Sequence, residues 1–152
     1  MKFKRKKYTD LLKYILFKCY NKPNFGKTVL CSILYFIDFN YYMKYGKLIT
    51  NETYIKSKKG IEPQHFREVS NDLLSKKQLY LKKEPYYHHI IHRYYLTILP
   101  EINFSNNELN IINKTICHLN NNNATTITNY AIKNRLIKVT EIGDEIKFEK
   151  NK

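Results

Sequence analysis

The stretch KTVLCSILYFIDFNYYMKYG, residues 27–46, is apolar on nearly every side when it is drawn as a helix. A helix of this kind is buried on all faces, so we predict a helix from about Lys27 to Lys44 at the centre of the core. Gly46 follows it as a helix stop. The stretch contains one acidic residue, Asp38, and a carboxylate buried there needs a partner, because an unpaired buried charge is costly. The apolar positions are Leu30, Ile33, Leu34, Tyr35, Phe36, Ile37, Phe39, Tyr41 and Tyr42.

The segments on either side of this helix give it packing partners. On the N-terminal side, Thr9 can cap a helix that ends in the segment from Asn21 to Gly26. On the C-terminal side, residues 47–57 alternate like an extended segment, and KKGIEP, residues 58–63, turns into a helix with Pro63 near its first turn. The residues expected to be buried are Leu11, Leu12, Ile15, Leu16 and Cys19 on the first helix, and Phe66, Val69 and Leu73 on the other.

Two β-rich segments, residues 78–83 and 88–99, predict a pair of strands joined across Glu84 and Pro85. The second contains three histidines. On a strand His88 and His92 face one side and His89 faces the other, so the three rings cannot converge on one ion as zinc requires. We therefore expect a solvated strand with rings packed across its neighbour, and no metal site.

The C-terminal third predicts two helices and a hairpin. Ser105 and Glu108 form a capping box, and residues 120–126 read as a loop that ends in a Thr cap. Residues 135–150 alternate about Gly143 and Asp144, which indicates a terminal hairpin. The chain is thus expected to be an α+β, predominantly helical, compact single domain over residues 1–152, with a small β-hairpin element and a C-terminal hairpin. Residues 105–149 are also compatible with a winged-helix-like unit whose recognition helix is Thr125 to Asn134.

Composition limits the class of protein. The chain has 152 residues, which suits one domain, and its most apolar stretch is too short and too interrupted to span a bilayer. Three cysteines without CxxC spacing indicate a reducing cytoplasm. The formal charge of +14 predicts attraction to acidic partners, but there are only four arginines, so we expect at most weak, non-specific nucleic-acid binding.

Several short motifs follow one another between residues 9 and 68, namely Tyr14-Ile15-Leu16, Leu34-Tyr35 with Asp38, Gly46, Ile49-Thr50 with Tyr54, and Gly60 with Pro63. Their order and spacing resemble the N-terminal half of the Panacea domain, the SocA-like antitoxins of bacteria and their phages. Residues 143–149, GDEIKFE, are similar to the closing signature of that family, whereas the turn reads Gly-Ile-Glu-Pro in place of Gly-Pro-Val-Pro. The resemblance implies a mostly helical domain with small β elements that neutralises a toxin by direct protein contact.

The same resemblance supplies candidate partner-binding residues, namely Tyr35, Asp38, Tyr42, Tyr45, Tyr54, Lys58, Gly60 and Pro63. Helical spacing favours the core for Tyr35 and leaves Tyr42 and Tyr45 open between core and surface. We expect the exposed binding surface to comprise Tyr42, Tyr45, Tyr54 and Lys58, with tyrosines as anchors and lysines raising the association rate. For Asp38, a structural bond to a Tyr hydroxyl, a Lys or a loop N–H is favoured over a binding role.

Three functions remain open at this point. The resemblance favours a cytoplasmic antitoxin of a bacterial or phage toxin-antitoxin system, with a toxin protein as partner and no cofactor. A nucleic-acid-binding regulator with a winged-helix-like unit is the alternative, and a metal-dependent enzyme is the third. The chain has no P-loop, nucleophile elbow, dinucleotide fingerprint or HExxH motif, so we expect no catalytic activity.

Overall fold

The computed structural model describes residues 2–149, which form six helices and two antiparallel hairpins. The predicted α+β, predominantly helical fold is confirmed. Among the described residues no helix combines the length and hydropathy needed to cross a membrane. The elements are α1 Arg5–Cys19, α2 Lys27–Tyr45, β1 Tyr54–Ser57, β2 Gly60–Pro63, α3 Phe66–Ser75, β3 Leu79–Tyr86, β4 His89–Leu96, α4 Asn106–Leu119, α5 Ala124–Ala131 and α6 Arg135–Lys138.

Helix α2 is the centre of the core, as its sequence predicts. Every residue from Val29 to Asp38 is buried, and the helix packs against α1, α4, α5 and β2. It ends at Gly46, whose φ of 75° is left-handed and whose N–H donates to the Tyr42 carbonyl at 2.8 Å. Glycine adopts this conformation without strain, so the predicted helix stop is confirmed.

Helix α1 begins five residues earlier than predicted. Its N-cap residue is Lys4, and Thr9 lies inside the helix, where its hydroxyl donates to the Arg5 carbonyl at 2.8 Å. The predicted Thr9 cap is therefore wrong, because a threonine hydroxyl also bonds to a carbonyl one turn back within a helix. The predicted apolar face of α1 is buried.

Residues 58–63 turn into a strand and not into a helix. Strand β2 pairs with β1 in a register that places Pro63 opposite Tyr54. The Gln64 N–H continues this ladder by donating to the Thr53 carbonyl at 2.8 Å, so the backbone stays extended past Pro63. Helix α3 begins only at Phe66, and its predicted buried residues Phe66, Val69 and Leu73 are confirmed.

The second hairpin has its turn three residues beyond the predicted position. Strands β3 and β4 pair from Leu79 with Leu96 to Tyr86 with His89, which leaves Tyr87 and His88 as the turn. Glu84 belongs to the strand because its carboxylate accepts from the Tyr95 hydroxyl at 2.6 Å and from Arg93 at 3.3 Å. Proline is tolerated on edge strands, and Pro85 occupies one.

The C-terminal helices are capped mainly as expected, but residues 135–149 do not form the predicted terminal hairpin, and residue 150 lies outside the described residues. Ser105 and Glu108 form the predicted capping box on α4, whereas Asn123, and not a threonine, caps α5. In the described part of the chain, residues 143–146 pair with β1 and not with each other. The Gly143 N–H donates to the Lys56 carbonyl at 2.7 Å, and the Ile146 N–H donates to the Tyr54 carbonyl at 2.8 Å. The hairpin prediction is wrong, and the winged-helix-like interpretation loses the wing that it requires.

Candidate partner-binding groove

Asp38, the acidic residue of α2, is fully buried and saturated with hydrogen bonds. Its Oδ1 accepts from the backbone N–H groups of Ile49 at 2.8 Å and Thr50 at 3.2 Å. Its Oδ2 accepts from the Thr50 hydroxyl and from the Tyr54 hydroxyl, both at 2.6 Å. The favoured prediction for Asp38, a structural bond to a tyrosine hydroxyl and a loop N–H, is confirmed. We call Asp38, Thr50 and Tyr54 the buried polar network.

The electrostatics of this network follow from its burial. Desolvation raises the pKa of Asp38, and the hydrogen bonds from Thr50, Tyr54 and Ile49 oppose that rise. Burial first, and then the charge of Asp38, raises the pKa of Tyr54 well above its usual value. Because Tyr54 is 0% exposed, the expectation that it lies on the exposed binding surface is wrong.

A second buried carboxylate, Glu52, extends the network toward α3. Its side chain accepts from the backbone N–H of His65 at 2.9 Å, and its other oxygen lies 2.6 Å from His65 Nδ1. The sequence interpretation did not single out Glu52. The alternation of Thr50, Glu52 and Tyr54 along a predicted extended segment could have indicated that Glu52 is buried, and all three residues are buried.

The remaining candidate residues do not share one exposed surface. Tyr35 is buried, with its hydroxyl donating to the Asn134 side chain at 3.0 Å, and Pro63 is buried at the end of β2. Tyr42 and Tyr45 are half-buried at the C-terminal end of α2; the Tyr42 ring lies 5.6 Å from the Phe148 ring, and the Tyr45 ring 4.6 Å from that of Tyr41. The exposed Lys58 lies in the β1–β2 turn, and the half-buried Gly60 is the first residue of β2. The rings of Tyr35, Tyr42 and Tyr54 surround that of Phe148, with centroids 5.7, 5.6 and 6.1 Å away. The structure does not bring all eight residues onto one surface, and their binding role stays a prediction.

An open groove lies at the other end of α2. Its volume is about 910 Å³, and its walls are the N-terminal turn of α2, the β1–β2 hairpin, the tip of the β3–β4 hairpin and the N-terminal turn of α5. This size falls in the range of ligand and peptide clefts. We call this feature the groove.

The β3–β4 hairpin is held against α2 by close backbone packing. A Cβ added to Gly26 lies 3.2 Å from the Ile91 Cβ, so only glycine permits this approach without movement. Arg93 donates to the Tyr20 carbonyl at 3.1 Å, and the Tyr94 ring packs edge-on to Phe66 at 5.6 Å. The base of the hairpin is thereby anchored, while its tip projects beside the groove.

The tip of this hairpin carries exposed apolar side chains. Tyr87 is 86% exposed and Ile90 is 70% exposed, and both line the groove. Tyr87 also has a φ of 55°, which is unfavourable for a bulky residue. The sequence interpretation treated this segment as a solvated strand with rings packed across its neighbour. These residues were missed because the turn was predicted at Glu84 and Pro85, so that Tyr87 and Ile90 were not expected at the tip.

The histidines of this hairpin do not form a metal cluster. His88 lies in the turn, and His89 and His92 both line the groove from β4. The prediction that placed all three histidines on one strand is wrong for His88, which lies outside β4. Within residues 2–149, no three His, Cys, Asp or Glu side chains are placed to hold one metal ion.

Comparison with known proteins identifies the family. The family model of the antitoxin SocA-like Panacea domain matches residues 30–135, and no curated protein or solved structure matches the chain. The resemblance inferred from the sequence is confirmed, but its extent differs: the match excludes α1 and includes the β3–β4 hairpin and α4. Because the match covers more than half of its residues, the chain belongs to the SocA-like antitoxin, Panacea domain family.

Proposed function

We propose that the chain is an antitoxin that neutralises a toxin by direct protein–protein binding. The observation that carries this proposal is the family match, which includes all four walls of the groove apart from the residues before Leu30. A toxin needs a contact surface, and the groove offers exposed apolar and charged groups on anchored elements. Binding surfaces of this composition are typical of protein partners.

We further propose that neutralisation involves no chemistry by the antitoxin itself. A general acid or base must reach the reacting atom. Asp38 and Glu52 are buried, and their oxygens already accept hydrogen bonds from neighbouring groups of the chain. Their burial therefore supports a role in stability. The free thiols of Cys19 and Cys31 are also buried, which is consistent with action in the reducing cytoplasm.

The alternative of a nucleic-acid-binding regulator has weaker support. Arg5 lies 3.2 Å from Glu68, and Arg93 is buried beside Glu84 at 3.3 Å, so these two guanidinium groups are already paired. The helix predicted to read DNA, α5, buries Ile127 and Ala131 against the core. The charge of +14 still permits salt-dependent attraction to nucleic acids without base readout.

The test is a rescue experiment with the protein encoded beside this gene. That protein is expressed in a bacterium alone, with the intact chain, and with a chain that carries a stop codon in place of Lys27. We expect growth arrest alone and with the truncated chain, growth with the intact chain, and co-purification of the two proteins. Arrest that persists with the intact chain, or rescue without co-purification, would contradict direct neutralisation.

A further inference from the structure

We propose that the groove is the toxin-docking surface and that it binds a segment of the toxin in which a carboxylate lies beside a large apolar side chain. This inference rests on the proposed function, since it names the surface by which neutralisation occurs. The argument has three parts: the apolar side chains of the groove, its charge, and the contrast with the opposite end of α2.

The apolar part of the groove is ready to receive a side chain. Val29 and Ile61 form buried portions of its wall, and Ile91 is half-buried beside them. Ile90 and Tyr87 extend this apolar surface into solvent at the hairpin tip. Exposed side chains of this size gain free energy when a partner covers them, roughly 25 cal/mol for each Å² of apolar surface. A tyrosine beside aliphatic residues is also the composition of an energetic hot spot.

The charge of the groove favours a carboxylate. Lys27 and Lys59 line it, and Glu62 is the one carboxylate among its lining residues in the described chain. The N-terminal turns of α2 and α5 lie in its walls, and helix N-termini carry partial positive charge. No side chain caps α2, so its first N–H groups add to this field without a competing side-chain acceptor.

The same composition argues for a protein partner over a nucleic acid. The groove has two lysines and no arginine among its described lining residues, so it presents no guanidinium fork for phosphate or guanine. Its apolar walls also have no role in contacting a phosphate backbone. An acidic, apolar segment of a protein uses both properties of the groove at once.

The opposite end of α2 is less suitable as the main docking surface. Tyr42 lies 15 residues after Lys27, which corresponds to roughly 22 Å at 1.5 Å per residue, so one small segment cannot contact both. The rings of Tyr42 and Tyr45 are already packed against Phe148 and Tyr41 of the same chain. Part of their surface is therefore used within the fold, unlike that of Ile90.

The experiment measures the dissociation constant for the toxic protein encoded beside the gene, together with growth rescue. Ile90→Asp places a charge on the apolar wall and is expected to weaken binding by about 30-fold or more, as for a hot-spot residue. Lys59→Glu reverses one groove charge, and we expect about tenfold weaker binding with a reduced dependence on salt. Matched controls are Ile102→Asp, where Ile102 is 57% exposed outside the groove, and Lys47→Glu, beyond the far end of α2.

Each result bears on one proposal. If the wild-type chain neutralises and binds the toxin but both groove variants behave like their controls, the groove is the wrong surface while the antitoxin function stands. Loss of binding in Tyr42→Ala with an unchanged melting temperature would move the surface to the other end of α2. If Lys59→Glu weakens binding to duplex DNA and leaves toxin binding intact, the groove serves a nucleic acid.

A second measurement covers a groove variant that fails to fold. A photo-crosslinking amino acid is placed at position 90 or at position 102 of an otherwise wild-type chain. We expect a covalent product with the toxin from position 90 only. Equal crosslinking from both positions, or crosslinking from position 102 alone, would overturn the assignment. If the wild-type chain neither binds nor neutralises the toxin, the proposed function itself fails.

Discussion

The two ends of α2 differ in how much of their polar and apolar surface is exposed to solvent. Toward its C-terminal end, Asp38 is enclosed, and four donors from the following segment and β1 satisfy its oxygens. At its N-terminal end, Lys27 lines an open groove beside Ile90, which is largely exposed. The buried region stabilises the native fold, but its groups are closed to a partner. The open region leaves side chains exposed that a partner can contact.

This difference changes how the family-like positions should be interpreted. Asp38, Thr50 and Tyr54 connect α2 to the segment that follows it, so their identities are explained by the fold. A residue can belong to a motif without contacting a partner, because a buried polar group needs hydrogen bonds within the fold whatever the function. The proposed docking surface instead uses Ile90 and Lys59, which no motif pointed to.

The largest expected effect is the loss of stability in Asp38→Ala. Removing the carboxylate leaves the buried N–H groups of Ile49 and Thr50 and the Thr50 hydroxyl without their acceptor, and the Tyr54 hydroxyl keeps only the Leu34 carbonyl at 3.1 Å. We therefore expect the free energy of unfolding to fall by about 3–5 kcal/mol. Denaturant unfolding measures this change. Asp72→Ala is the control, because Asp72 forms only partly exposed ion pairs with Lys76 at 3.1 Å and Arg5 at 3.8 Å, and such pairs contribute less than about 1 kcal/mol. Equal losses in the two variants would mean that Asp38 is not enclosed as described.

The next effect, in Tyr54→Phe, tests one hydroxyl of the same network, which also lies 3.1 Å from the Leu34 carbonyl. The hydroxyl lies 2.6 Å from Asp38 Oδ2, and its removal leaves the ring in place but takes one donor from a buried carboxylate. We expect a loss of about 1.5–3 kcal/mol, the range for hydrogen bonds to charged groups, with toxin binding unchanged in the folded protein. Tyr130→Phe, at a residue that is 40% exposed, is the control for which we expect little change. Loss of toxin binding in a stable Tyr54→Phe protein would restore Tyr54 as a contact residue.

Much of the helical part of the fold was predictable because it depends on local patterns. The all-round hydrophobicity of α2 placed it at the core, and Gly46 ended it at the right residue. The spacing of Ser105 and Glu108 located the start of α4. These signals lie within a few residues of the feature that they predict, and side-chain packing over a whole helix reinforces them.

The errors concern features that depend on distant partners. Residues 143–146 alternate like half of a hairpin, yet they pair with β1, about ninety positions earlier in the chain. Glu84 and Pro85 look like a turn, but the bonds from Tyr95 and Arg93 keep Glu84 in the strand. The groove itself joins four elements from residue 24 to residue 129, so no local pattern could indicate it.

A smaller effect separates stability from binding at the hairpin tip. Tyr87 has a φ of 55°, a conformation that asparagine adopts more readily than a bulky aromatic residue. We expect Tyr87→Asn to raise the free energy of unfolding by roughly 1 kcal/mol or less while weakening toxin binding, because an exposed anchor is lost. Tyr20→Asn is the control, since Tyr20 is 70% exposed but has a helical φ of −57°. A destabilised Tyr87→Asn protein would show that the ring supports the fold.

The last prediction concerns how far the groove extends into the core, and it changes neither stability nor binding. Cys31 lines the groove but is only 3% exposed, and burial raises the pKa of its thiol to about 12. At pH 8 the reactive thiolate is then on the order of one part in ten thousand, whereas an exposed thiol has a pKa near 8.5. We expect a thiol reagent to modify the exposed Cys117 rapidly in the native protein and to leave Cys31 and Cys19 unmodified until unfolding. A Cys117→Ser variant assigns the fast site. If that variant still reacts rapidly and the modified residue is Cys31, the floor of the groove is open to solvent, and the contrast between the two ends of α2 is weaker than the structure indicates.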